Sequence, residues 1–291
     1  YRLARYSAPY QPVVPSFARM LLLPRRRVLC HPKSVYSALL LGKLMAVSGY
    51  RPVFTADHRH DFSIHLPARS GQPVFNERHI GNGKARVAEA WRQACGYSPA
   101  VDPTTFAGPM VEKSEANATH DGRVVHGPLS AAAVHPARVY QRLLDNTDGD
   151  EVIDIRVPFY RGKIPLVYLK RRPLRDRFSN TNTSVSIADP ATMFSPEELN
   201  AIERFAWLAG LDYGEADVLR NKDDGLIYVV DSTNGPAGPP NGLSPEDARH
   251  AVQTLAAVFQ AAVESALSGK EWQPVASTAA APHSNEAVSP S

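Results

Sequence analysis

The chain has 291 residues, enough to bury a sizeable core in one large domain or two modest ones. An apolar fraction of 43% and a charged fraction of 21% are those of a globular protein, and a formal net charge of +3 is too small to point to nucleic acid or an anionic membrane as main partner. Cys30 and Cys95 cannot make a disulfide framework, no apolar run has the length of a membrane span, and the start at Tyr1-Arg2-Leu3 shows no apolar leader, so a cytoplasmic protein is expected.

In chain order, residues 1–24 read as an extended, proline-punctuated arm. Val28-Leu29-Cys30 is a short strand, and the spacing predicts a helix from Ser34 to Met45 with Leu39, Leu40, Leu41, Leu44 and Met45 as its apolar stripe. Arg51 to Thr55 is a second strand, so a βαβ unit with parallel pairing is expected, joined by a strand within Asp61 to Leu66. A helix from Lys84 to Cys95 is closed by Gly96. Beyond Ser98 the pattern changes to strands at 109–113 and 123–125, followed after a small-residue stretch by the segment 139–144. A hairpin follows, Val152 to Phe159 and Ile164 to Lys170, turning at Arg161-Gly162. Ser195-Pro196-Glu197-Glu198 opens a helix that runs to Leu208 and closes at Gly210. A second hairpin joins 216–219 to 226–230, and a last helix starts at Ser244-Pro245 and ends near Gly269. The organisation expected is an arm (1–24), a small N-terminal βαβ domain (25–98), a larger domain (99–269) and a disordered tail (270–291).

The chemistry is concentrated in the two hairpins. With a turn at 221–225, Asp217 faces Val229, Asp231 lies diagonal to Asp217 on the same face, Thr233 continues that face, and Glu215 sits opposite Asp231. Carboxylates gathered on one strand face repel, which a bound hard cation such as Mg²⁺ would offset; a solvated face with scattered acids explains the pattern equally well. In the first hairpin the two-residue turn puts Ile153, Ile155, Val157, Phe159, Ile164, Leu166 and Tyr168 on the core side, with Asp154, Arg156 and Arg171 on the other. Fixed cations beside an acidic face suit a polyphosphate substrate.

Taken in order, Asp154-Ile155-Arg156-Val157, Gly162-Lys163, Lys170-Arg171-Arg172, Phe178-Ser179-Asn180, Gly210-Leu211-Asp212-Tyr213-Gly214 with Asp217, and Val230-Asp231 with Pro236 resemble the ATP-grasp superfamily, most closely its glutamate-adding amino-acid ligases. The resemblance covers roughly residues 109–242 and implies an α/β (α+β) fold of a βαβ pre-ATP-grasp domain and a nucleotide-binding domain, acting on ATP with Mg²⁺. It implies that Lys113 grips the nucleotide phosphates under a cover loop at 114–122, that Gln141, Arg142, Leu143 and Leu144 form the linker against adenine, and that Lys170 also contacts the nucleotide. Arg156 and Arg171 would steady the transferred phosphoryl group, Asn180 or Asn182 would follow the aromatic as the polar catalytic residue, and Asp217 and Asp231 would hold magnesium. The family's acid-x-Asn is Asp231-Ser232-Thr233 here: either Thr233 coordinates through its hydroxyl, Asn234 swings in through a bulge, or the metal is held more weakly. The implied reaction joins a small-molecule carboxylate to an amine through an acyl phosphate, without nucleic acid or membrane and with a homodimer left open. The alternative is a nucleotide or ligand sensor that kept the fold and lost turnover.

Other features weigh less. His58, His60 and His65 with Asp57 and Asp61 suggest a metal cluster, but a polar loop explains them more simply, and Cys30 reads as a buried apolar residue. The absence of a nucleophile elbow and of a Walker loop excludes α/β-hydrolase and P-loop classes.

Overall fold

Strand β1 (Arg27–Leu29), helix α1 (Leu40–Ser48) and strand β2 (Arg51–Val53) form the expected βαβ unit, with β1 and β2 parallel. The computed structural model describes residues 26–31, 39–67, 71–116, 119, 121–179 and 181–275. The helix start expected at Ser34 lies outside them; Leu39 is the N-cap and Gly49, at φ 69°, ends α1 in the left-handed conformation. Strands β3 (Phe62–Ile64) and β4 (Val74–Phe75) complete a four-stranded parallel sheet of order β2-β1-β3-β4. Helix α2 (Lys84–Cys95) has the expected bounds and ends at left-handed Gly96.

An antiparallel sheet of order β6-β5-β7 follows, from β5 (Gly108–Ser114), β6 (Arg123–Gly127) and β7 (Arg138–Arg142). The largest sheet runs β11-β10-β9-β12-β13, with β8 (Thr147–Asp148) paired to β9. Its strands are β9 (Glu151–Tyr160), β10 (Val167–Pro173), β11 (Ser184–Ala188), β12 (Tyr213–Arg220) and β13 (Ile227–Thr233). The short helix α3 (Pro190–Met193) leads to α4 (Pro196–Leu208), opened by a complete Ser195–Glu198 capping box, and α5 (Pro245–Leu267), with Ser244 as N-cap, is the last helix among the described residues. Gly210, at φ 67°, ends α4 where any side chain would collide with the Arg78 carbonyl.

Alternation along β9 gives the sheet two different faces. Ile155, Val157 and Phe159 join Val218, Ile227 and Val229 in a core packed on Val87 and Trp91 of α2 and Phe205 of α4. The opposite face carries Asp154, Arg156 and Tyr160, and at its aromatic end Tyr160, Tyr168 and Tyr213 pack on α5. Phe259 of α5 makes ring contacts with Phe62 and Phe75 of the parallel sheet and with Tyr160 and Tyr213 of the large one, so one helix closes both layers.

Two registers differ from expectation. In the β9–β10 hairpin, Tyr168 pairs with Arg156, Lys170 with Asp154 and Arg171 with Ile153, one residue away from the register of the Tyr160–Lys163 bridge at the turn. A one-residue slip moves a side chain to the other face: Lys170 joins Asp154 and Arg156, whereas Arg171 leaves them and instead donates to Asp148 at 2.6 Å. In the β12–β13 hairpin a bulge between Asp217 and Val218 makes Asp217 face Asp231 directly and Glu215 face Thr233, rather than the diagonal arrangement expected. The start of the tail touches the body at two residues: Trp272 Nε1 donates to Asp212 Oδ1 at 2.7 Å, and Arg161 Nη2 to the Lys270 carbonyl at 2.6 Å. No helix among the described residues is long and apolar enough to cross a membrane.

Candidate active site

Four strands of the large sheet place Tyr168, Arg156, Asp217 and Asp231 in one cross-strand row, each directly opposite the next. Arg156 grips Asp217 with its fork, Nε to Oδ1 at 3.0 Å and Nη2 to Oδ2 at 3.0 Å, and Lys170 Nζ adds a third donor at 3.1 Å. Burial acts to raise the Asp217 carboxyl, but Arg156 and Lys170 together hold it well below the usual carboxylate range. Among the described residues Asp231 has no such partners. It accepts one hydrogen bond, from its neighbour's Ser232 N–H at 2.9 Å, and burial with the facing Asp217 pushes its carboxyl up.

The three-stranded sheet forms the other wall. Lys113, on β5, donates to the Val230 carbonyl at 3.2 Å; Val230 is the residue that the bulge leaves without a partner across the hairpin. Burial lowers the Lys113 ammonium to about 8 despite the nearby Asp231. Lys84, the first residue of α2, is buried and donates to the Ala116 carbonyl at 2.6 Å, which ties the cover loop to the helix start. Glu115 in the same loop accepts from the Ala85 N–H, and Asp121 accepts from the Ser114 N–H at 3.0 Å and pairs with Arg138 at 2.7 Å. His120 of this loop lies outside the described residues. Sequence reasoning missed Lys84; the signal was the turn Gly81-Asn82-Gly83 delivering a lysine at a helix start.

Between the walls lie two adjoining chambers that share Lys113, Phe178, Asp217 and Asp231. The larger, about 330 Å³, is charged, lined by Lys84, Arg156, Glu215 and Thr233 among others. The smaller, about 160 Å³, mixes the apolar side chains Val111, Leu144, Val152, Leu219 and Val230 with the polar ones of Gln141, Arg142, Asn146, Asp154 and Arg177. Gln141 and Leu144 are buried there. The Leu143 N–H is taken by the Pro109 carbonyl at 3.1 Å and the Leu144 carbonyl by Arg177 at 3.0 Å, while the Arg142 guanidinium donates to the Tyr228 hydroxyl at 2.9 Å. Asp154 is held by Arg172 at 2.5 Å and by Asn146 at 3.1 Å, bracing the row from below.

Of the expected residues, Arg156, Lys170, Lys113, Asp217 and Asp231 come together, with Gln141, Arg142 and Leu144 in the adjoining chamber. Arg171 does not join them, for the register reason given. Asn180 lies outside the described residues, and the Asn182 amide donates to the Asn241 carbonyl at 3.4 Å. Asn234 does not swing in beside the acids: its amide faces His79 Nδ1 at 3.1 Å and accepts from Asn82 at 3.0 Å, while the Thr233 hydroxyl lines the chamber and accepts from the Gly235 N–H at 3.2 Å. His60 is buried with its Nδ1 on the His58 carbonyl at 2.9 Å, a folded loop rather than a ligand set. Among the described residues no group of three or more His, Cys, Asp or Glu is arranged to hold a metal. A pair of acids, one of them short of hydrogen bonds, is the donor set that suits Mg²⁺, which binds through one or two carboxylates and completes its shell with phosphate and water.

The fold and site can be set beside known structures. No sequence-family model matches the chain, and no curated protein matches it by sequence. Among solved structures, the chain is similar to the ATP-grasp ligase PsnB complexed with minimal precursor, Mg and ADP, with TM-score 0.52 and 15% identity over 83% of this chain and 99% of that one. It is similar to the D-alanine–D-alanine ligase from Bacillus anthracis complexed with ATP, with TM-score 0.52 and 13% identity over 84% and 98% of the two chains. At these identities the likeness establishes a shared fold and nothing finer.

Proposed function

We propose that this protein is an ATP-dependent ligase that activates a carboxylate as an acyl phosphate and joins it to an amine. The observation that carries the reading is the Arg156–Asp217–Asp231 row facing Lys113 and Lys84 across a cleft, in a fold shared with ATP-grasp ligases. The smaller chamber, with apolar side chains beside polar ones, suits a nucleotide base next to Gln141 and Leu144, which brings the phosphates to Lys113 and Lys84. A carboxylate oxygen then attacks the γ-phosphorus, the bond to the β–γ bridging oxygen breaks, and ADP leaves; Arg156 and Lys170 steady the charge that spreads over the phosphoryl oxygens. The amine nitrogen next forms a bond to the acyl carbon, the carbon–oxygen bond to phosphate breaks, inorganic phosphate departs with the electron pair, and the amine releases a proton to water. Asp231, with Asp217 beside it and the Thr233 hydroxyl in the same chamber, would hold Mg²⁺, which when bound neutralises charge on the β- and γ-oxygens. The cations gathered at the row, Arg156, Lys170, Lys113 and Lys84, support the catalytic reading over the non-catalytic alternative, with Lys170 taking the place on that face expected of Arg171.

Calorimetry with Mg-ATP, followed by phosphate release over a panel of amino and hydroxy acids with amines, tests the reading. Binding together with acceptor-dependent release is expected. Absence of nucleotide binding overturns it, and binding with no release for any pair overturns it in favour of a sensor.

A further inference from the structure

We infer that Glu215 is the seat of the acceptor amine, its carboxylate receiving N–H hydrogen bonds from the nucleophile; this assignment rests on the ligase reading above. Glu215 is 1% exposed, yet among the described residues neither carboxylate oxygen has a hydrogen-bond partner. Arg156 Nε stands 3.7 Å away, and its fork is already committed to Asp217. A carboxylate removed from water without donors is costly, and the cost is recovered when a ligand brings donors to it.

Its place in the sheet says which ligand. Along β12, Leu219, Asp217 and Glu215 share one face at a spacing of two. Leu219 lines the smaller chamber, Asp217 lines both, and Glu215 lines the larger one alone, so along β12 the three mark base, phosphate and acceptor in linear order. Glu215 belongs to no three-ligand metal group among the described residues. The segment after Thr233 roofs it: a Cβ at Gly238 would approach Glu215 Oε1 to 3.1 Å. What fits under that roof, beside Arg156 and within reach of an acyl phosphate, is a primary amine rather than an alcohol or a thiol, because only the amine offers two or more donors to two empty acceptor oxygens.

The test uses the full chain with saturating Mg-ATP, the common amino acids as both carboxylate and amine, and hydroxylamine as a small nucleophile that traps an acyl phosphate without needing a built seat. In Glu215→Gln the ratio of amide product to hydroxamate is expected to fall roughly tenfold or more, the loss of a hydrogen bond to a charged group. Gly238→Ala, which crowds the carboxylate without changing its charge, is expected to move the ratio the same way. An unchanged ratio in both variants overturns the assignment alone, as does a loss of hydroxamate equal to the loss of amide. No hydroxamate from the native protein overturns the ligase reading itself, and the assignment with it.

Discussion

Arg156 stands between two acids and can satisfy only one of them fully. Its fork closes on Asp217, and the pair is buried enough that breaking it leaves charges without compensation. Asp217→Asn is therefore expected to destabilise the protein by roughly 3–5 kcal/mol. The sign of its pH dependence follows from the depressed folded value. The Asp217 contribution is complete above the ordinary aspartate pKa of about 3.9 and is lost as pH falls toward the folded one. Urea melts should show a constant gap between native and Asp217→Asn protein at neutral pH that narrows in acid. Lys113 sets a second pH effect. With its ammonium lowered by burial to about 8, raising the pH through that value removes the charge that the proposed function places on the nucleotide phosphates. An alkaline fall in kcat/KM for ATP centred near there is expected, and Lys113→Arg should shift that limb to higher pH.

At the scale of elements, register decides which cations matter. Lys170 and Arg171 are adjacent in sequence and alike in charge, but only Lys170 lies on the face of Arg156. Lys170→Ala is expected to lower turnover by roughly 10²-fold, the scale for losing one transition-state donor, and Arg171→Ala to leave it within about twofold. Steady-state phosphate release distinguishes them. Both helices that flank the site announced themselves through local rules, Gly96 after α2 and the Ser195 capping box before α4, because capping depends on residues a few positions apart. The hairpin registers did not, because a bulge is chosen by packing on both faces at once: it keeps Val218 and Val229 in the core while bringing Asp217 opposite Asp231.

Across the whole molecule, α5 connects what the chain order separates. Phe259 touches rings from the parallel sheet and from the large sheet, so Phe259→Ala is expected to cost roughly 3–5 kcal/mol and to lower the midpoint of the main unfolding transition by calorimetry. The tail segment is a second tie of this kind, through Trp272 and Asp212.

What the amino-acid sequence determined by itself was local: most of the order of strands and helices, though not β4, β8, β11 or α3; the caps of α2, α4 and α5, though not the start of α1; the alternation that sorted β9 into an apolar and a charged face; and the acids and bases whose order carries the resemblance. Tertiary structure decided the rest. It chose Lys170 over Arg171, set Asp217 opposite Asp231, turned Asn234 toward His79, brought Lys84 in from a distant helix, and left Glu215 buried without donors. These are outcomes of side-chain packing between segments far apart in the chain, where a shift of one residue in register inverts a face and no local pattern records which register wins.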